Sequence, residues 1–334
     1  MLERILHELN DIVSVSHEKG VLLKLCFDMV LYTEALSNSQ QREAVLSIFN
    51  DYCDFYQKHL RWTTNPETGR WKKLKKGPAD YLQPKEWLLD KAPGEGWAFV
   101  YHGGEKKTDA TDIVFLASGR PFYGVEQHDL STVACRFPLA DFFAQRFSIQ
   151  TLLKNWCALL QPWHGRAGLS IGKSFGYADW ALSRVTESEL LLRYPGLQFW
   201  SVGEGLYFEN KGGGLYDGPR CADWIIVLSD HFVEKLGGKA TVIGAMDPLP
   251  TYEYPGGLIL QAGEFPQLGS YTEKGMLADY MRIGKIIEPI RASRAPYAGE
   301  IAVADPQSGP YSWKSDKERS QTWCERFSPD NASN

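Results

Sequence analysis

The chain has 334 residues, 43% of them hydrophobic, and a formal net charge of −5. This composition is ordinary for a globular protein that buries a large core in one domain or two packed lobes. The densest positive run, residues 70–76, is short and lies in a stretch rich in Pro and Gly, so we interpret it as a solvated loop. Because nucleic-acid binding needs a broader basic surface, we expect no nucleic-acid partner.

Targeting segments and disulfides are not expected either. Met1–Asn10 carries two acidic residues and no apolar core, unlike a signal peptide. No stretch approaches the roughly 20 apolar residues of a membrane span, so we expect no membrane contact. The six cysteines are never spaced as CxxC, and Cys26, Cys135 and Cys157 lie among apolar residues that predict burial. A chain of this length needs no disulfides, which favours a reducing compartment and a cytoplasmic localisation.

The first part of the chain, residues 1–95, is predicted to hold one strand, one helix and an irregular connection. Val21–Tyr32 is apolar and β-branched and predicts a strand. Residues 37–39 offer N-caps for a helix over Gln40–Trp62, where apolar residues recur at helical spacing. Residues 63–96 mix Pro and Gly with charges, which is typical of an irregular connection.

The second part, residues 96–300, is predicted to be the main body, and residues 301–334 a polar C-terminal tail with a short helix near Ser315–Phe327. The predicted strands of the body are Trp97–Tyr101, Asp112–Leu116, Ser131–Phe137, Arg166–Ile171, Asp223–Leu228, Thr241–Ala245 and Gly257–Ala262. Its predicted helices are Ile149–Leu160, Tyr177–Arg193, His231–Leu236 and Met276–Ile290.

The order of these elements predicts the fold class. Helices alternate with strands, but hairpins interrupt the alternation, which argues against a barrel or a doubly wound sheet. We therefore expect an α/β (α+β) protein with a mixed β-sheet and helices packed on it. Two sub-lobes that divide near residue 95 are compatible with this pattern.

One motif suggests an enzyme. Gly168-Leu-Ser170-Ile-Gly172 matches the G-x-S-x-G nucleophile elbow, and Asp223 and His231 follow in the order of a hydrolase triad. The elbow needs a buried strand that ends in a sharp turn at the serine, whereas the residues before this motif are rich in Pro and Gly and Ser170 itself is predicted within a strand. A serine hydrolase that uses Ser170 is therefore the alternative function, and a non-enzymatic role is preferred.

Other catalytic and metal-binding patterns are incomplete. Gly172-Lys173-Ser174 resembles the end of a P-loop, but alanine stands at position 167 where that motif needs glycine. The seven histidines show no metal-ligand spacing, so we expect no metal and no cofactor. Two carboxylate pairs, Asp51 with Asp54 and Glu187 with Glu189, are interpreted as solvated helix surfaces rather than acid–base pairs.

The order of segments in the C-terminal half resembles a known bacterial family. These segments are Arg193-Tyr-Pro-Gly-Leu197, a glycine-rich loop, Arg220-Cys-Ala-Asp-Trp224 before a strand, Leu236-Gly-Gly238, Gly257–Gly263, Phe265-Pro-Gln-Leu-Gly269, and a helix with Tyr280 that ends near Glu288-Pro-Ile290. The chain resembles the type VI secretion immunity proteins that are associated with toxins carrying a VRR-type nuclease domain. The resemblance covers about residues 21–290. Its motifs end helices and begin strands, so they transfer no active-site residues.

The resemblance implies a protein that binds its cognate effector toxin and blocks the toxin's active cleft. Such a cleft is basic, so we expect an acidic and aromatic surface on the immunity protein. The best candidate is the loop over residues 204–217, and the hairpin tip over residues 103–111 is a weaker one. A homodimer is also compatible with the sequence. The candidate partner-binding residues of the loop are Glu204, Tyr207, Phe208, Glu209, Tyr216 and Asp217.

Overall fold

The fold is known from a computed structural model, which describes most of the chain. The described residues are 14–17, 20–34, 39–92, 95–119, 130–199, 215–270, 277–292, 301–305, 307–308 and 312–328.

One large β-sheet organises the described part of the chain. Its strands lie in the order β11-β12-β10-β8-β2-β7-β6-β5-β3-β4, with β1 paired to β2 and β9 paired to β8. All of these pairs are antiparallel except β8 with β9, which is parallel. A separate pair, β13 with β14, forms a small second sheet. The strands are β1 Ser14–His17, β2 Gly20–Thr33, β3 Trp62–Thr64, β4 Trp71–Lys73, β5 Trp97–His102, β6 Val114–Gly119, β7 Ser131–Phe137, β8 His164–Lys173, β9 Gln198–Phe199, β10 Ile225–Ser229, β11 Thr251–Tyr254, β12 Gly257–Gln261, β13 Ala302–Ala304 and β14 Trp313–Ser315.

Helices cover this sheet, and short 3₁₀ turns join several elements. The helix α3 shows how local sequence sets the bounds: the Ser148 hydroxyl caps its first turn by accepting from the Thr151 N–H at 3.2 Å, and Gln161 ends it in the left-handed region at φ 45°. The helices are α1 Ser39–Tyr56, α2 Leu139–Phe143, α3 Ile149–Leu160, α4 Tyr177–Arg193, α5 Asp230–Lys235, α6 Lys239–Met246, α7 Ala278–Ile287 and α8 Lys317–Cys324.

The two faces of the sheet differ, and β2 shows the difference because its side chains alternate between them. Phe27 and Met29 belong to the main hydrophobic core, together with residues of α1 and α3. Val30 faces the other side, where it packs in a second and smaller cluster that includes Leu215. Leu215 therefore lies on the face opposite to α1.

Most predicted elements are confirmed, and so is the α+β fold class with its mixed sheet. The strand predicted at Arg166–Ile171 is longer, since β8 begins at His164 and ends at Lys173. The helix predicted to end at Trp62 instead ends at Tyr56, and Trp62 begins β3. The connection after it is not wholly irregular, because β3 and β4 extend the edge of the sheet. The division of the chain near residues 95 and 300, and the two sub-lobes, stay predictions.

The strand predicted at Thr241–Ala245 is wrong. This segment is part of α6, which begins after Gly237 and Gly238 turn the chain at φ 92° and 90°. Val242 and Met246 lie one helical turn apart and are both buried, whereas Ile243 between them is exposed. Packing of this one face outweighs the β propensity of the Thr-Val-Ile run. The strand that the sequence analysis missed, β11, follows directly and pairs with β12.

Candidate partner-binding surface

Trp163 precedes β8 and is held by three hydrogen bonds. Its backbone N–H donates to the Tyr32 carbonyl at 2.8 Å, and its carbonyl accepts from the Ser229 N–H at 3.2 Å. Its indole N–H donates to the backbone carbonyl of Tyr216 at 2.7 Å. Because strands on both sides and the indole itself are engaged, the ring keeps one orientation at the end of the sheet.

Two further rings stack with this indole. The centroid of the Tyr216 ring lies 5.1 Å from that of Trp163, with 21° between the planes. The centroid of the His231 ring lies 4.4 Å away, with 28° between the planes. Trp163 and Tyr216 are half-buried, and His231, in the first turn of α5, is exposed. The result is an ordered aromatic surface in contact with solvent.

Carboxylates border the stack. Glu34 and Asp217 are both exposed. The Tyr216 hydroxyl donates to Oε1 of Glu34 at 3.3 Å. Burial, followed by the nearby Glu34 charge, raises the pKa of Tyr216, so the phenol stays protonated and keeps donating at neutral pH. We call Glu34, Trp163, Tyr216, Asp217 and His231 together the Trp163 surface.

The charge state of His231 matters for what this surface can bind. Partial burial lowers the pKa of His231, and the Lys235 charge lowers it further, while Glu34 opposes the shift. The imidazole is therefore predominantly neutral at pH 7. With His231 neutral, Glu34 and Asp217 give this surface a net negative charge.

The predicted loop thus contributes two of its six candidate residues to a described surface. Tyr216 and Asp217 lie on the Trp163 surface. Glu204, Tyr207, Phe208 and Glu209 lie outside the described residues. Glu34, Trp163 and His231 were not predicted as partner-binding residues, because only the fold brings the ends of β2, β8 and β10 together.

The backbone beneath the surface is fixed as well. The carbonyl of Leu215 lies 2.6 Å from Nε2 of His164, whose ring packs against Tyr32 at 4.9 Å between centroids. Burial lowers the pKa of His164 to about 4, so its ring is neutral and donates this hydrogen bond. A small cleft opens beside this contact. It is lined by Tyr32, His164, Gly165, Arg166, Leu215, Pro219, Arg220, Cys221 and Ile226.

The hairpin between β5 and β6, the weaker candidate, has a different character. Its exposed tip, Glu105–Lys107, carries one acid and two lysines. Asp109 holds the loop in shape: one carboxylate oxygen accepts from the Lys106 N–H at 2.7 Å and the other from the Val21 N–H at 3.2 Å. A tip with a net positive charge does not complement a basic cleft.

The elbow geometry that a hydrolase would need is absent at Ser170. Ser170 lies within β8, fully buried, opposite Cys26 of β2 on one side and Gln198 of β9 on the other. Its hydroxyl donates to the Gln198 carbonyl at 3.2 Å. A nucleophile elbow instead exposes its serine at a turn between a strand and a helix. The G-x-S-x-G match is therefore part of a central strand.

A buried ion cluster lies on the same face of the sheet as the Ser170 side chain. Nη1 of Arg166 is 2.8 Å from Oδ1 of Asp28 and 3.3 Å from Oδ2 of Asp223. Burial raises the pKa of Asp223 to about 8, with Arg166 opposing the shift and Asp28 adding to it. Because the Asp223 carboxyl group stays protonated at pH 7, the single guanidinium of Arg166 can contact both aspartates without a second cation. The sequence analysis did not find this cluster, because Asp28 is embedded in an apolar strand.

The prediction that Glu187 lies on a solvated helix surface is wrong. Glu187 is fully buried in α4. Its carboxylate oxygens lie 3.1 Å from Nζ of Lys173 and 2.7 Å from Nη1 of Arg184. Glu189, two residues on, is exposed as predicted. A structural ion pair therefore holds α4 against β8.

The described residues hold neither a metal site nor a membrane-spanning helix. No group of three His, Cys, Asp or Glu side chains there is arranged to hold a metal ion. None of the helices in that part of the chain is long and apolar enough to cross a bilayer. All six cysteines carry free thiols, and Cys26, Cys135 and Cys157 are buried as predicted.

Comparison with known proteins places this fold. A solved structure that resembles it is the type VI secretion system (T6SS) protein PA0821 of Pseudomonas aeruginosa, with a TM-score of 0.77. The two chains are 20% identical, and the alignment covers 99% of this chain and 92% of that chain. This likeness shows the fold. No curated protein sequence matches the chain.

Most of the chain matches the model of one protein family. Residues 44–327 match the TsiV family, described as type VI immunity for VRR-NUC. The chain belongs to the TsiV family. The match continues well beyond Ile290, where the resemblance seen in the sequence ended. It includes α8, whose Trp323 is fully buried in the main core.

Proposed function

We propose that this TsiV protein binds a cognate T6SS toxin with a VRR-type nuclease domain and neutralises it by covering its active cleft. The family match supports the immunity role. The observation that carries the binding mode is the Trp163 surface, where ordered aromatic rings stand beside exposed carboxylates. The protein then acts by occupancy and turns over no substrate.

Physical complementarity supports this mode. A nuclease cleft is lined with Lys and Arg because it must hold phosphates. Carboxylates such as Asp217 attract that cleft at long range and speed association. Buried aromatic anchors such as Tyr216 then slow dissociation, as they do at the centres of other interfaces. Glu204, Tyr207, Phe208 and Glu209 precede these residues in the chain, and we propose them as part of the same interface.

We also propose that this encounter takes place in the cytoplasm. The DNA that a nuclease toxin attacks is there, so protection of the producing cell requires the inhibitor in the same compartment. The free thiols of the six cysteines fit a reducing environment. Fractionation of cells that express a tagged protein tests this location, and recovery of the tag in the periplasmic fraction would contradict it.

Binding to the toxin encoded beside this gene tests the proposed function. The two proteins should co-purify, and co-expression should rescue cells from the toxin. Asp217→Lys should slow association at low salt, because it reverses a charge at the edge of the interface. The matched control is Asp54→Lys, an exposed acid of α1 on the opposite side of the sheet.

Three outcomes decide between the parts of this proposal. Absence of both complex and rescue contradicts the immunity role. Normal association of Asp217→Lys removes the Trp163 surface from the interface. Glu204→Lys and Glu209→Lys test the preceding part of the loop in the same assay. A homodimer stays a prediction, which light scattering on the free protein tests.

A further inference from the structure

We infer that the Trp163 surface is a receptor for one arginine side chain of the toxin, stacked on the aromatic rings and paired with Glu34. This inference rests on the proposed function and adds to it the chemical group that is recognised.

The rings are arranged before any partner arrives. Trp163 donates hydrogen bonds to the carbonyls of Tyr32 and Tyr216 and accepts one from the Ser229 N–H. The Tyr216 hydroxyl is itself held by Glu34. A surface whose side chains are already ordered loses little conformational entropy on binding, which favours its use as a docking site.

The charges select a cation. Glu34 and Asp217 are exposed beside the stack, and partial burial keeps His231 predominantly neutral, so the ring does not repel a cation. Asp230, next to His231, lies 3.4 Å from Nζ of Lys239, which also lies 3.6 Å from Oε2 of Glu253. Among the described residues, Lys235 is a base near His231, and its ammonium lies over the Phe232 ring at 5.6 Å.

Arginine fits this combination better than lysine. A guanidinium is planar, so it stacks on aromatic rings while its N–H groups donate to a carboxylate in the plane. An ammonium is a compact and strongly hydrated charge that gains less from stacking. Nuclease clefts use such arginines to bind phosphate. An inhibitor that binds one of these arginines therefore also makes it unavailable for binding DNA.

The test uses the full-length protein and the purified nuclease domain of the neighbouring toxin. Trp163→Leu should raise the dissociation rate about tenfold, because it removes the ring on which Tyr216 and His231 stack and so disrupts the aromatic surface that the guanidinium contacts. Trp62→Leu is the matched control, since Trp62 is half-buried and its indole N–H donates to the Gly104 carbonyl at 3.1 Å. Glu34→Gln should slow association at low salt by on the order of threefold, whereas Glu67→Gln, at another exposed acid, should not.

A double-mutant cycle identifies the occupant. Each arginine of the nuclease domain is changed to lysine, and one such change should remove most of the effect of Trp163→Leu. If no arginine couples to Trp163 while the wild-type complex forms, the inference is overturned and the proposed function stands. A wild-type protein that does not bind the domain overturns both.

Two further results guard against a structural artefact. If Trp163→Leu unfolds the protein, Trp163→Phe and Glu34→Gln carry the same cycle, since they keep the ring position or remove only a charge. If Trp163→Leu instead converts a dimer of the free protein to a monomer, the surface is a contact between two copies of this chain and the arginine receptor is overturned.

Discussion

A Cβ atom on Gly168 would lie 2.1 Å from Oδ1 of Asp223. This distance is far inside van der Waals contact, and the same oxygen is held in place because it accepts from the Trp224 N–H at 2.7 Å. The close approach explains why glycine stands in the middle of a buried strand. It also ties β8 to the start of β10; β8 begins at the Trp163 surface and β10 ends there.

Gly168→Ala should therefore destabilise the protein, by about 2–4 kcal/mol, because the new methyl group must displace a buried carboxyl group. Gly244→Ala in α6 is the control, since a Cβ there meets no atom within 4 Å. Alanine is the better helix former, so that variant should be slightly more stable than the wild type. Urea unfolding of both variants measures the difference, and equal midpoints would contradict the account.

Asp223→Asn should change how stability depends on pH. Burial raises the folded pKa of Asp223 to about 8, well above its ordinary value of about 4, so the folded state holds a proton that the unfolded state has released. This group therefore lowers the free energy of unfolding as pH rises from about 4 to about 8. Asparagine cannot ionise, so the stability of the variant relative to the wild type should increase between pH 5 and pH 8.

Unfolding by guanidinium chloride at several pH values measures how the stability of each protein depends on pH. The variant also loses a contact with Arg166 across this pH range, which shifts the whole curve without changing the slope. Parallel curves for wild type and Asp223→Asn would show that Asp223 is ionised in the folded protein.

Glu187→Gln should destabilise the protein strongly, by about 3–5 kcal/mol, because it leaves the buried charges of Lys173 and Arg184 without their carboxylate. Glu189→Gln is the matched control on the same helix, and its exposed side chain should matter by less than about 0.5 kcal/mol. Thermal unfolding compares them, and a similar small effect of both changes would argue against the buried ion pair.

Ser170→Ala should leave toxin binding unchanged and cost about 1 kcal/mol of stability, since it removes one buried hydrogen bond to Gln198. Generic ester substrates provide the second readout. An esterase activity of the wild type that disappears in Ser170→Ala would revive the hydrolase alternative.

The sequence predicted the elements that carry strong local signals. The apolar run of β2 and the Ser148 cap of α3 determine their structures locally, and the structure confirms both. The segment 241–245 was predicted wrongly because its β-branched residues favour a strand, whereas burial of Val242 and Met246 favours a helix. Such packing depends on residues that are distant in sequence.

The candidate site was only partly predictable for the same reason. Tyr216 and Asp217 belong to a loop rich in acids and aromatics, which is a local signal. Glu34, Trp163 and His231 are separated from one another by 129 and 68 positions, and nothing in their neighbourhoods marks them. Likewise, the residues around Glu187 are typical of an exposed helical position. Glu187 is nevertheless buried, because the fold places its carboxylate against Lys173 of β8.

The most direct test of the central claim is nuclease inhibition in solution. Linear and supercoiled DNA are incubated with the purified VRR-type nuclease domain of the neighbouring toxin, and increasing amounts of this protein are added. We expect DNA cleavage to fall to background at a fixed molar ratio near equivalence, and Trp163→Leu to need a larger excess than Trp62→Leu. Undiminished cleavage at a large excess of the wild-type protein would contradict the account.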